Sequence, residues 1–253
     1  MTMAVGAMKQ KAYRELDSAE EKMSMNDMAA PKAIVKEGLS EYFMYSIEGT
    51  ENIPDQWGKR LPSFNIKDIP IRNLYRFETE RYGNAAHRLV YFRNDKKHQL
   101  GNEPLPDGKI KVFREINDKG SLAYTGQVFS KYIPVNQEVE LDFGAAREVK
   151  VEPVLMSEQS ENYQFNTKGN ISGFDRIQKW EIKLENNRDI PISIEVLRNF
   201  KNSYWDIDNS RTNNGKFHKV DIDSVKYTVE LPAQSKTILT YTLTQYEGER
   251  QHR

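Results

Sequence analysis

The chain has 253 residues, and its 37 Lys and Arg are balanced by 37 Asp and Glu, so the formal net charge is zero. A chain without a basic excess is poorly suited to nucleic acids or anionic membranes, which need clustered cations to neutralise phosphate; no nucleic-acid partner is expected. Having no Cys, it has no disulfides, thiolate nucleophile, zinc–thiolate cluster or iron–sulfur centre.

Residues 1–33 are rich in Met, Ala and charge, with Tyr13 as their one aromatic residue. Gln10 to Met23 is long enough for a few helical turns. Its apolar positions Ala12, Leu16, Ala19 and Met23 make only a thin stripe, and so short a helix is marginal alone in water. A flexible or partly helical linker is expected here; the sharper alternative is the stub of a longer helix or coiled coil lying upstream. Charges begin at Lys9, where a signal peptide would run its apolar core. No apolar run approaches the ~20 residues of a membrane-spanning helix, so no transmembrane segment is expected.

From Gly38 the apolar period becomes two. Leu39, Phe43, Tyr45 and Ile47 alternate with Ser40, Ser46 and Glu48. Further on, Ile69, Ile71, Tyr75 and Phe77 alternate with Arg72, Leu74 and Arg76. The same pattern recurs at Val139, Leu141 and Phe143, then Val149 and Val151, then Trp180, Ile182 and Leu184, and last Val225, Tyr227, Val229 and Leu231. Strict alternation predicts strands buried on one face and wet on the other, the habit of antiparallel sheets. Turn residues separate them at Pro106-Asp107-Gly108, Asp118-Lys119-Gly120, Glu185 to Asp189 and Asn213-Asn214-Gly215. The stretch Asn52 to Lys67, with Pro54, Trp57 and Pro62, suits a loop covering a sheet edge. The prediction is an all-β chain folded as an antiparallel β-sandwich or a pair of sandwiches. After the 1–33 linker come a first β-rich region over 34–159 and a C-terminal β-sandwich region over 160–253, packed together. No repeat of fixed period is evident.

Chemistry is sparse in this pattern. Neither a phosphate loop nor a dinucleotide fingerprint occurs, and no Gly-x-Ser-x-Gly elbow is present. His87, His98, His218 and His252 are scattered and read as surface residues rather than zinc ligands. The loop WDIDNSRTNNGKF offers oxygens at Asp206, Asp208, Ser210 and Asn214 in an order like a calcium loop. It then fails, with Arg211 at the turn-glycine position and Phe217 at the bidentate-Glu position. A polar hairpin loop is the simpler reading, with Asp221 and Asp223 as a second acidic pair nearby. Asn170-Ile171-Ser172 is a sequon. Of the three tryptophans, Trp57, Trp180 and Trp205, the second reads as core and the third, beside the polar loop, stays open as a sugar platform. No catalytic residue, cofactor or metal is assigned.

The segment YFRNDKKHQLGNEPLPDGKIKVFREINDKGSLAYTGQ resembles the hallmark of the mucoidy-inhibitor A type of protein. A strand ending in Asn94 leads to a loop with Gly101, then Pro104, Leu105, Pro106, Gly108 and Lys109 and a hairpin bearing Gly120, Ser121 and Gly126. VELDFGAAREVKVE is similar to that family's strand and small-residue turn at Gly144, Ala145 and Ala146, with Arg147 or Glu148 where an Asp is usual. Asn186, Pro191, Trp205 and LPAQSKTILTYTL continue the likeness in order, over about residues 38–246.

The resemblance implies a C-terminal fragment of an envelope-associated bacterial protein, periplasmic or extracellular, with no established reaction. The leading expectation is therefore a non-enzymatic β-sandwich module that contacts a protein or a surface glycan. One alternative is a carbohydrate-active enzyme or calcium-assisted lectin-like domain using Trp205 and the Asp206/Asp208 loop. The other is a structural subunit of an assembly.

Overall fold

The structure is a computed structural model that describes residues 34–39, 42–47, 49–50, 52–60, 65–116, 120–200, 202–209 and 215–251. The linker expected over 1–33 lies outside them, as do Ser210, Arg211, Asn214 and His252. The chain divides into two compact units, residues 1–66 and 67–253.

In the first unit, β1 (Ile34–Leu39) and β2 (Tyr42–Ile47) form an antiparallel hairpin, with Ile34 opposite Ile47 and Leu39 opposite Tyr42. Residues 52–60 are exposed throughout, with one turn in which the Trp57 N–H donates to the Pro54 carbonyl at 3.1 Å.

Among its described residues the second unit is all-β apart from a one-turn helix, α1 (Thr79–Tyr82), and two short 3-10 turns. Its strands are β3 (Arg72–Phe77), β4 (His87–Arg93), β5 (Gly108–Glu115), β6 (Leu122–Ser130), β7 (Glu138–Ala145), β8 (Val149–Phe165), β9 (Ile171–Asn186), β10 (Ile192–Asn199), β11 (Trp205–Asp208), β12 (Lys216–Lys219), β13 (Ser224–Leu231) and β14 (Ser235–Gly248). They form a six-stranded sheet in the order β12-β13-β10-β3-β4-β7, a four-stranded sheet β11-β14-β9-β8, and the hairpin β5-β6. Every pairing is antiparallel except β10 with β3. Residues 159 and 160, where the two expected regions divide, both lie inside β8, and the six-stranded sheet takes strands from each region.

The alternating residues explain the layering. Tyr75, Phe77, Ile194, Val196, Val225, Tyr227, Val229 and Leu231 of the large sheet share one core with Val149, Val151, Ile182, Leu184, Leu239, Tyr241 and Leu243 of the four-stranded sheet. On the same face of β4 and β7, Val90, Val139 and Leu141 form a second core, against which Ile110 and Val128 of the β5-β6 hairpin pack. One layer of the sandwich is thus the six-stranded sheet; the other is the four-stranded sheet beside the hairpin. Leu74 departs from the alternation, which put it on the wet side. It is 2% exposed, because it joins Leu89 and Tyr91 in an apolar cluster on the opposite face of the sheet.

Two strand pairs that are consecutive in sequence do not form hairpins. β9 and β10, joined by the Asn-rich loop, lie in different sheets, and so do β13 and β14 across Pro232. A buried asparagine organises this crossing. The Asn186 amide donates to the carbonyls of Ile190, Leu231 and Pro232 at 3.0, 3.4 and 2.7 Å, and its oxygen accepts the Arg188 N–H at 3.1 Å. The same device stands at the end of β4. There the Asn94 amide donates to the carbonyls of Glu103, Ile133 and Pro134 at 3.1, 3.3 and 3.1 Å, and its oxygen accepts the Gly101 N–H at 2.9 Å.

The correspondence extends further. Glu103 and Ile190 each precede a proline, Pro104 or Pro191, and the next residue pairs across, Leu105 with Ile133 and Ile192 with Leu231. Asn136 and Gln234, each two residues beyond Pro134 or Pro232, have left-handed φ of 66° and 49°. The run β3-β4-β5-β6-β7 therefore repeats as β8-β9-β10-β13-β14, with β11 and β12 inserted in the second copy.

Candidate functional site

Of the residues singled out in the sequence, the described ones form no metal-binding cluster. Trp205 opens β11, but its ring packs edge-on to Phe200 with centroids 4.9 Å apart, and its Nε1 donates to the Ile222 carbonyl at 3.1 Å. Lys219 Nζ lies 4.5 Å over the ring. Asp206 accepts from the Tyr246 hydroxyl at 2.6 Å, and Asn209 from the Tyr227 hydroxyl at 2.8 Å. Asp221 closes a turn by accepting the Asp223 N–H at 3.2 Å. A hydrogen bond from Ser224 is the main cause that holds its carboxyl below the usual range. Among the described residues no three His, Asp or Glu side chains are grouped as a metal site would need.

Trp180 is partly buried against the main core, with the Arg198 guanidinium 4.7 Å over its ring. Trp57 is 68% exposed. His87 stacks on Tyr82 at 4.1 Å and holds Asp142 at 2.9 Å through Nδ1. His98 holds Asp95 at 2.7 Å, and His218 is exposed on β12. Asn170 of the sequon sits exposed at the β8-β9 turn.

Two groupings escaped the sequence reading. The first runs across the outer face of the six-stranded sheet, one residue from each of five neighbouring strands. Lys226 on β13 donates to Glu195 on β10 at 3.0 Å, and Arg76 on β3 donates to the same carboxylate from Nη2 at 2.9 Å and Nε at 3.2 Å. Arg76 also donates to Glu140 on β7 at 3.1 Å and to the Tyr91 hydroxyl on β4 at 2.9 Å, while that hydroxyl donates to Glu140. Arg81 reaches the other Glu140 oxygen at 3.1 Å.

Burial alone would raise the Glu195 carboxyl, but hydrogen bonds from Lys226 and Arg76 outweigh it and hold the group below its ordinary value. Burial and the bond to Glu140 push the Tyr91 phenol up. An ionised Glu195 whose two oxygens both accept from cations offers no proton to a reaction. This row is a lock. It closes the β10-β3 joint, where only Ile194, Glu195 and Val196 pair with Tyr75, Arg76 and Phe77.

The second grouping is the outward face of the β5-β6 hairpin. Inward-facing Ile110 and Val128 hold the hairpin to the second core. A bulge follows Val112, placing Phe113 opposite Tyr124 with their rings edge-to-face at 5.6 Å. Phe129, opposite Lys109, is 75% exposed, with Lys109 Nζ 5.2 Å from its ring. Leu122, opposite Glu115, extends this apolar surface toward the tip. Exposed large apolar residues in one place mark contact surfaces. Among the described residues β5 pairs with β6 alone, so its other edge is open.

Compared with known proteins, the chain matches no family model, no curated protein and no solved structure.

Proposed function

We propose that the chain is a non-enzymatic β-sandwich module of a bacterial cell-envelope protein that works by contact, holding an extended segment of a protein partner on the β5-β6 hairpin. The observation that carries this reading is the exposed face of Phe113, Tyr124 and Phe129 beside an unpaired strand edge. Aromatic side chains supply large, rigid contact area, and a free edge supplies backbone donors and acceptors to an added strand. The repeat supports the edge as the contact point: β10, the counterpart of β5, carries β3 as a parallel neighbour. Lys109 and Lys111 flank the aromatic rings, so the partner segment alternates apolar with acidic side chains. The envelope location rests on the likeness to the mucoidy-inhibitor A type.

The test is selection from a displayed library of unstructured peptides, run beside a panel of bacterial polysaccharides. Selected peptides are expected to alternate apolar and acidic residues and to lose about tenfold or more in affinity for the Phe113→Ser/Tyr124→Ser/Phe129→Ser variant. Polysaccharide binding on the same face without peptide binding overturns the protein partner in favour of a glycan. Hydrolysis of any polysaccharide by the chain overturns the non-enzymatic reading.

A further inference from the structure

The two layers of the sandwich differ at one place. In the six-stranded sheet β3 fills the edge of β10; in the other layer no pairing joins β5 to β8 among the described residues. Where β6 and β7 meet the start of β8 lies a cleft of about 190 Å3, lined by Tyr75, Arg88, Thr125, Phe143, Arg147 and Arg188. At about 30 Å3 per water it holds roughly six, enough for a small organic molecule.

Its charge is unbalanced. Arg88 makes one hydrogen bond, from Nη2 to Asn73 at 3.0 Å; its Nε is buried with no partner among the described residues, and its nearest ring, Phe143, is 6.0 Å away. Arg147, an exposed residue, also lines the cleft. Arg188 donates to the Tyr75 hydroxyl and lies 3.4 Å from Glu148, the one carboxylate lining the cleft. Three arginines thus line the cleft against one acid. Two other half-buried arginines are matched with carboxylates, Arg76 with Glu195 and Glu140, and Arg250 with Asp175 at 2.7 and 2.5 Å, while Arg198 donates to the Tyr241 hydroxyl and covers Trp180. A buried donor without a partner carries a desolvation penalty that calls for an explanation, and a ligand that fills it is one.

We propose that this cleft binds a small oxyanion, the carboxylate or phosphate of a molecule about the size of a sugar acid. Arg88 brings a guanidinium bonded only to Asn73 among the described residues, Arg188 and the Tyr75 hydroxyl form the wall, and the exposed Arg147 lies beside them. Planar guanidinium forks suit both anions. The site is separate from the outward face of the hairpin and does not depend on a partner there.

Calorimetric titration of the full chain with sodium glucuronate, with glucose 6-phosphate and with uncharged glucose, at constant ionic strength, tests it. Binding of one or both charged probes, with none of glucose, is expected; the tighter of the two identifies the anion. Arg88→Gln is expected to lose about tenfold or more in affinity, while Phe113→Ser/Tyr124→Ser/Phe129→Ser binds as the native chain does. A second variant separates ligand binding from a structural role. Arg88→Leu removes an unpaired buried donor, so without ligand its melting temperature is expected to hold or rise. Absence of binding by both charged probes at millimolar concentration, undiminished binding by Arg88→Gln, or a clear fall in the melting temperature of Arg88→Leu would each overturn the proposal.

Discussion

The runs β3–β7 and β8–β14 take the same route through the sandwich, with the same asparagine at the crossing and the same proline-bounded pair beyond it. Their surroundings differ. The buried apolar residues of the second copy all belong to the main core, and its crossing strands β10 and β13 are flanked by β3 and β12. The first copy sends β5 and β6 out as an unflanked hairpin over a smaller core. One local design therefore serves two ends: where neighbours close it, it builds stability, and where they do not, it leaves an aromatic face and a cationic cleft for contact.

Removing the asparagines is the largest way to break this comparison. Asn186 and Asn94 are both 0% exposed, and truncation takes a donor from three carbonyls and the acceptor from one N–H in each case. Asn186→Ala is expected to cost about 3–5 kcal/mol and to lower the single unfolding transition of the whole unit. Asn94→Ala is expected to cost about 2–3 kcal/mol, with faster hydrogen exchange confined to residues 100–135. Equal loss of protection across both cores would show that the copies do not differ in this way.

Gly101 tests the same loop from the backbone side. Its φ is +81°, and an added Cβ would stand 2.6 Å from the Asp95 Cα and 2.7 Å from its carbonyl carbon. These are backbone atoms that cannot rotate away. Gly101→Ala is expected to cost about 2–3 kcal/mol in chemical denaturation, again with exchange rising only around the first copy.

Next comes the lock on the closed joint. Arg76→Met leaves Glu195 with Lys226 alone and frees Glu140 from one of its two cations. Breaking a fully buried pair costs about 3–5 kcal/mol; part-exposed carboxylates bring the expectation here to about 2 kcal/mol. The pH dependence follows from Glu195. Its folded carboxyl is held below the ordinary value of about 4.3, so its contribution is complete above that value and is lost as pH falls through the folded one. Thermal melts from pH 6 downward are expected to show that loss in the native chain and a shallower one in Arg76→Met. Identical slopes would remove the lock from the joint.

The alternation made much of this fold legible. Ile182 and Leu184, Val149 and Val151, and Val225 to Leu231 read as one-sided strands and are buried on one side. Leu74 misled because a strand in the middle of a sheet has apolar cover on both faces, which period two cannot express. The sheet assignments of β9 and β10 were equally hidden, since a polar loop looks the same whether it closes a hairpin or crosses between layers. The repeat has no fixed period: its asparagines reach their first carbonyl over nine residues in one copy and four in the other. Lys226, Glu195, Arg76, Tyr91 and Glu140 each occupy an ordinary wet-face position, and strand order alone brings them together. The hairpin face was missed for a related reason. Phe113 and Phe129 each follow an inward residue, Val112 or Val128, and the bulge at Thr125 brings Tyr124 to the same outward face, a register that only the pairing of the two strands fixes.

The smallest expected effect sharpens the contrast most. Phe129 and Tyr227 are both aromatic residues on the second strand of an equivalent pair, β6 and β13. Tyr227 is wholly buried, packs on Tyr241 at 5.7 Å and bonds Asn209, so even Tyr227→Phe should cost about 1 kcal/mol. Phe129→Ser deletes a whole ring, yet that ring touches water over most of its surface and meets Lys109 only across an exposed face. Its cost should be under about 0.5 kcal/mol, read from denaturation midpoints at equal slope. A larger loss would mean that the ring is spent on holding the hairpin down, and the contact function would have to move to Phe113 and Tyr124.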